Sequence, residues 1–159
     1  MIGFRVKVKF DLNAVLQKVR KAELEGIRMC ALMVEAEAKK ILSEKGHGAG
    51  TKTPSPPGSP PATVKGGLKN SISHAKVGDH YISGPTTIAW YGRIHEFGTR
   101  SPHIRVTPKM RNFLAGKFGW HLKQTTKFIK IPKRPFMRPA MMRARGKLPK
   151  EYANGFKLR

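Results

Sequence analysis

From Leu12 to Glu44 the apolar residues recur at alternating steps of three and four. Leu24, Ile27, Ala31, Val34, Ala38 and Ile41 carry the rhythm, and Leu12, Leu16 and Val19 supply the preceding turns. That spacing predicts one amphipathic helix. It would run for about 33 residues, on the order of 50 Å. Asp11 is the expected N-cap. Lys18, Lys21, Glu25, Arg28, Glu35 and Lys39 fall on its wet side, and Gly26 marks a bend or a close contact. A helix this long must overhang its own core or pack on a neighbour.

Other patterns are shorter. Phe4, Val6, Val8 and Phe10 alternate with Arg5, Lys7 and Lys9, a period of two that predicts a half-buried strand with one basic face. Residues 45–66 interrupt the pattern with Gly46, Gly48, Gly50 and the run Pro54-Ser55-Pro56-Pro57-Gly58-Ser59-Pro60-Pro61. So long a loop is either a linker or functional, and an assembly contact is the natural candidate for what orders it. Gly67 to Ile72 predicts a short helical turn. His74 to Ile82 and Thr86 to Tyr91 predict two strands of a hairpin turning at Gly84-Pro85. His103 to Val106 predicts a short strand, Pro108 to Phe118 a short helix, and Lys127 to Ile131 another strand. Pro135 to Arg145 predicts a helix ended by Gly146, before a basic tail at 147–159 with no assigned structure. Length and order together predict a single domain over 1–159 of class α+β. In it the strand and long helix pack on a small, mainly antiparallel sheet with short additional helices.

Charge changes this picture most. The chain carries 32 Lys and Arg against 9 Asp and Glu, a net +23. After Glu96 there are 17 basic residues and one acid, Glu151. A field of one sign calls for a polyanionic neighbour: nucleic acid, an anionic membrane or acidic protein. No stretch approaches the roughly 20 apolar residues of a membrane span, so no membrane partner is expected. Met1 to Phe10 lacks an apolar signal core, so the expected compartment is a cytoplasm. Cys30 is the one cysteine; it excludes an intrachain disulfide and reads as a buried structural thiol.

Catalytic and metal motifs fail on spacing. His95-Glu96 would need a histidine four residues after His95, where Thr99 stands. The other histidines (His47, His74, His80, His103, His121) have no ligand spacing. There is no nucleophile-elbow or phosphate-loop pattern. The expectation is a non-enzymatic protein with no cofactor.

Two segments remain. Trp90-Tyr91-Gly92-Arg93-Ile94-His95-Glu96-Phe97-Gly98-Thr99 reads as an aromatic strand running into a glycine-closed turn. Ile131-Pro132-Lys133-Arg134-Pro135-Phe136-Met137-Arg138-Pro139-Ala140 reads as an extended, proline-stiffened entry to a helix. Alone, Trp90, Tyr91, Ile94 and Phe97 would mean only the edge of a core, and Arg93, Arg134 and Arg138 only solvated charge. They come in order with Pro57-Gly58-Ser59-Pro60-Pro61, with Gly66 to Ile72 and with Val106 to Leu114. In that combination the chain resembles the tail-completion, or minor tail component, family of tailed bacteriophages, over most of its length. The tail from Leu148 to Arg159 has no counterpart in the pattern.

The resemblance implies a structural virion protein at the head–tail junction, or neck, assembled in the host cytoplasm. It implies a homo-oligomeric ring, most simply a hexamer. The neighbours would be head-connector proteins on one side and tail-tube or tail-terminator proteins on the other. Packaged DNA would pass through the lumen, so the basic charge is expected to face acidic neighbours or the outside. The candidate partner contacts are Pro54, Pro56, Pro57, Pro60, Pro61, Lys127, Lys130, Lys133, Arg134 and Arg138. Tyr91, Glu96, Phe97, Gly98, Pro135 and Phe136 are expected to be structural. The alternative is a small basic nucleic-acid-binding protein, ribosome- or nucleoid-associated, which accounts directly for the charge.

Overall fold

The computed structural model describes residues 11–44, 55–62, 65–99, 104–119 and 121–156. The expected strand at Phe4 to Phe10 lies outside them, as does Pro54. A single helix, α1 (Leu12–Glu44), is the spine. Asp11 opens it as predicted, its Oδ1 accepting the Ala14 N–H at 3.1 Å. Its inward stripe is Ala22, Gly26, Ala31, Glu37, Ala38, Ile41 and Leu42. Its first turns overhang that core, for Leu12, Val15 and Leu16 are all exposed.

Around α1 pack α2 (Gly67–Ser71), an antiparallel hairpin of β1 (Ile72–Val77) and β2 (His80–Pro85), and two C-terminal helices, α5 (Met137–Arg145) and α6 (Leu148–Gly155). The core is Ala38, Ile41, Leu42, Ile72, Phe136 and Ala140, with Leu68 and Met137 against it. A second, smaller ladder joins β3 (Ile104–Arg105) to β4 (Phe128–Ile129). Between them runs α4 (Pro108–Phe118), with the predicted bounds. Thr107 caps α4 by accepting the Met110 N–H, and Pro108 stands in its first turn. The Arg111 guanidinium donates to the carbonyls of Leu122, Lys123, Gln124 and Thr126, which ties down the return loop.

The α+β class holds, with two separate two-stranded ladders in place of one sheet among the described residues. The predicted hairpin is displaced. Its turn is Gly78-Asp79, not Gly84-Pro85, and Val77 pairs with His80 across it. Gly78 has φ +61°, which an L side chain rarely adopts, so this two-residue turn selects glycine. Pro85 ends β2, and the supposed second strand is a 3-10 turn at Thr87–Ala89.

Three further expectations change. Glu35 is not on the wet side: its Oε2 lies 2.6 Å from His74 Nδ1 on β1. Burial would raise the Glu35 pKa, but the hydrogen bonds from His74 and Lys39 outweigh it and hold the carboxyl below its ordinary value. Cys30 is half-buried, its thiol donating to the Leu148 carbonyl at 3.5 Å. The tail is a helix, α6, which crosses α1 where glycine faces glycine. A Cβ on Gly155 would stand 2.7 Å from Gly26 Cα and 2.8 Å from the Glu25 carbonyl oxygen. Gly26 is thus the close contact its position suggested. Lys147, at the head of α6, donates to buried Glu37 at 2.8 Å, and that bond first of all lowers the Glu37 pKa.

Candidate assembly site

The two marked segments fold into one unit. The first is helical, correcting the expected strand: α3 (Gly92–Phe97) follows Tyr91 directly. Aromatic residues favoured the strand reading, but tertiary packing sets a helix here. Gly92 admits Pro85 so closely that a Cβ would meet Pro85 Cγ at 2.8 Å. Tyr91 stacks edge-on against His95, with ring centroids 5.9 Å apart. Gly98 ends the helix with φ 71° and ψ −176°, a region open essentially to glycine alone. A Cβ there would also stand 3.1 Å from the Ile131 carbonyl oxygen.

The second segment runs past the end of α3. The Thr99 N–H donates to the Ile131 carbonyl at 3.1 Å, the Ile131 N–H to Thr99 Oγ1 at 3.0 Å, and the Arg134 N–H to the His95 carbonyl at 2.7 Å. Glu96 then caps α5. Its Oε2 accepts from Phe136 N at 2.8 Å and Met137 N at 2.9 Å, and its Oε1 from Arg138 N at 2.9 Å. The N-cap residue of α5 is Phe136, whose side chain has no acceptor. A carboxylate brought from α3 takes that role, where the helix dipole favours negative charge. Pro135 stiffens the approach, and Phe136 is fully buried.

The proline-rich loop docks on the same segment. Gly58 N–H donates to the Lys133 carbonyl at 2.8 Å, and Arg134 Nε to the Ser55 carbonyl at 2.7 Å. The described part of the loop is therefore pinned by its own chain. Pro61 is buried, Pro60 half-buried, and Pro56 and Pro57 exposed. Arg134 is only 9% exposed, so it is a bracket inside the subunit and not the surface contact expected of it. His95 lies against this bracket. Burial first, and then the Arg134 charge, lower its pKa.

The remaining basic candidates separate. Lys127 and Lys130 flank β4 on the small ladder and are exposed. Lys133 and Arg138, also exposed, line a groove of about 550 Å³ between the end of β2, α3 and the start of α5. Phe97 lines the groove and is 60% exposed; Trp90, 71% exposed, is likewise no core edge. Arg93, which its sequence neighbourhood marks only as solvated charge, also lines the groove and is exposed. Only its place one turn before Phe97 on a helix could have signalled this, and the strand reading hid it.

No group of three or more His, Cys, Asp or Glu among the described residues is placed to hold a metal ion. None of the described helices is long and apolar enough to cross a membrane. The site offers apolar surface, positive charge and a rigid frame, which are properties of a docking surface. Searches of protein-family models, curated proteins and solved structures match nothing to this chain.

Proposed function

We propose that this chain is a structural subunit of a tailed-bacteriophage neck, a tail-completion protein that assembles as a ring and joins the DNA-filled head to the tail. One observation carries the reading beyond the motif resemblance. Four large side chains are fully buried (Phe136, Ile41, Leu42 and Ile72), whereas thirteen large hydrophobics among the described residues are exposed. Exposed apolar residues scattered singly are ordinary on a monomer, but where they cluster, as Leu12, Val15 and Leu16 do on one face of α1, they mark a contact surface. Neighbouring subunits would cover it. A closed ring uses heterologous contacts, so each subunit needs two different adhesive faces. The overhanging start of α1, with Leu12, Val15 and Leu16, is one; the 3-10 turn, with exposed Ile88 and the Trp90 that follows it, is another. The role is adaptor binding, without catalysis.

The rival reading, a basic nucleic-acid-binding protein, draws on the small ladder. Arg105 pairs across it with Phe128, which is half exposed, and Lys127 and Lys130 flank that pair. An aromatic among cations can stack a base and hold phosphate. The two readings part in a capture experiment with the phage's own head and tail proteins, run beside a duplex-DNA titration across salt. Retention of a head or tail protein, with weak DNA binding, supports the neck reading. Tight sequence-blind DNA binding, falling with salt as phosphate contacts require and with no virion protein retained, would overturn it.

A further inference from the structure

We infer that the groove between β2, α3 and α5 receives an acidic segment of a different protein, anchored by a large apolar side chain. The inference rests on the adaptor reading above and names the chemistry of one partner. Buried Phe136, Pro135 and exposed Phe97 give the groove apolar lining. Arg93, Lys133 and Arg138 add three positive charges. The single carboxylate present, Glu96, spends both oxygens on the backbone N–H groups of α5. The groove is thus apolar with a cationic rim, and its complement is an apolar anchor between carboxylates.

The chain cannot supply that complement itself. The segments outside the described residues, 1–10, 45–54, 63–64, 100–103, 120 and 157–159, contain no Asp or Glu. A second copy is no better provided. Glu25, Glu35, Glu37 and Glu44 are held in ion pairs, and Asp11 caps α1. The remaining acids, Glu23, Asp79 and Glu151, sit on α1, the hairpin turn and α6, and Glu23 and Glu25, two apart on α1, point to different faces of the helix and present no acidic pair. The occupant is therefore a foreign acidic chain. Nucleic acid would match the rim but not the proline- and methionine-lined floor, which presents one exposed ring for stacking.

The test is fluorescence anisotropy with a fluorescein-labelled peptide of alternating aspartate and glutamate around a central phenylalanine. A labelled oligothymidine of equal charge is titrated beside it. The wild-type chain should bind the peptide, more weakly as salt rises. R93E/R138E should weaken binding about tenfold or more, since two exposed rim charges turn from attraction to repulsion. F97A should weaken it several-fold through the lost apolar contact. K127E/K130E, on the other ladder, should stay within about twofold and control for net charge. All these side chains are exposed, and unchanged thermal melting of each variant verifies its fold. Equal losses in the two double variants would reduce the effect to bulk charge and overturn the proposal. So would no peptide binding by the wild type, or an oligothymidine preference abolished by R93E/R138E, which would assign the groove to nucleic acid. A chain that fails these tests yet still captures head or tail proteins loses the groove assignment and keeps the neck reading.

Discussion

Glu96 closes the N-terminus of α5 from 40 residues away: its Oε2 accepts the Phe136 N–H at 2.8 Å and the Met137 N–H at 2.9 Å. Few single side chains in the molecule hold two elements together so directly. Glu96→Ala leaves three amide donors without their acceptor, so it should cost about 2–3 kcal/mol in urea unfolding. Glu96→Gln keeps one acceptor oxygen and should lose less than half of that. Equal stability of Glu96→Ala and the wild type would remove the cap from the account.

Phe136 and Phe97 belong to the two marked segments but should respond oppositely to truncation. Phe136 is fully buried, and Phe136→Ala should cost about 3–5 kcal/mol. Phe97 is mostly exposed, and Phe97→Ala should move the unfolding midpoint by less than about 0.5 kcal/mol. Comparable losses in both would mean that Phe97 is packed in the isolated subunit.

Gly155 has no room for a side chain, because backbone atoms of Glu25 and Gly26 already occupy the space. Gly155→Ala should lift α6 from α1 at a cost of about 1–3 kcal/mol. Cys30 reports the event. Burial, and then the charge of Glu151, raise its pKa, and its thiol donates to the carbonyl of Leu148 on α6. Alkylation by iodoacetamide at pH 8 should be slow in the wild type and several-fold faster in Gly155→Ala. Identical rates would show that α6 stays docked.

His95 sets a pH dependence. Its folded pKa is lowered from 6.5, so on acidification the unfolded chain takes up this proton first. Stability should therefore be level above about pH 6.5 and fall as the pH drops below it. Glu35 and Glu37 also have lowered pKa values, but their contribution is lost only as pH falls below about 4.5. Urea midpoints at pH 7.5 and 5.5 isolate the histidine. The wild type should lose stability between them, and His95→Gln should lose markedly less. Equal losses would sever the link to His95.

What could be read in advance was what local chemistry decides. The long helix announced itself by spacing, Asp11 by capping, Pro108 by its place in a first helical turn, and Gly98 by its place at the end of a motif. The misreadings share a cause: contacts distant in sequence. Gly78-Asp79 carried a turn signal, but it lies inside His74 to Ile82, which reads as one strand, and Gly84-Pro85 offered a second turn signal. Trp90 and Tyr91 suggested a strand, yet the neighbouring Pro85 and the strap at residues 131–134 favour a helix. Arg134 looked like one more surface cation, and only its acceptor on Ser55, 79 residues away, reveals a bracket. The α6 helix was hidden because Tyr152 and Leu148 find their packing against Gly26 and Cys30 of α1, far away in sequence.

The proposed subunit completes its surface by closing a ring. The decisive quantity is the mass of the purified chain by sedimentation velocity, over a wide concentration range and at moderate salt. One discrete closed species is expected, most simply six times the 17.8 kDa chain. Asp substitution at Leu12 and Leu16 should dissociate it to folded monomers. A chain that stays monomeric at every concentration, with Leu12 and Leu16 indifferent to substitution, would contradict the closed ring.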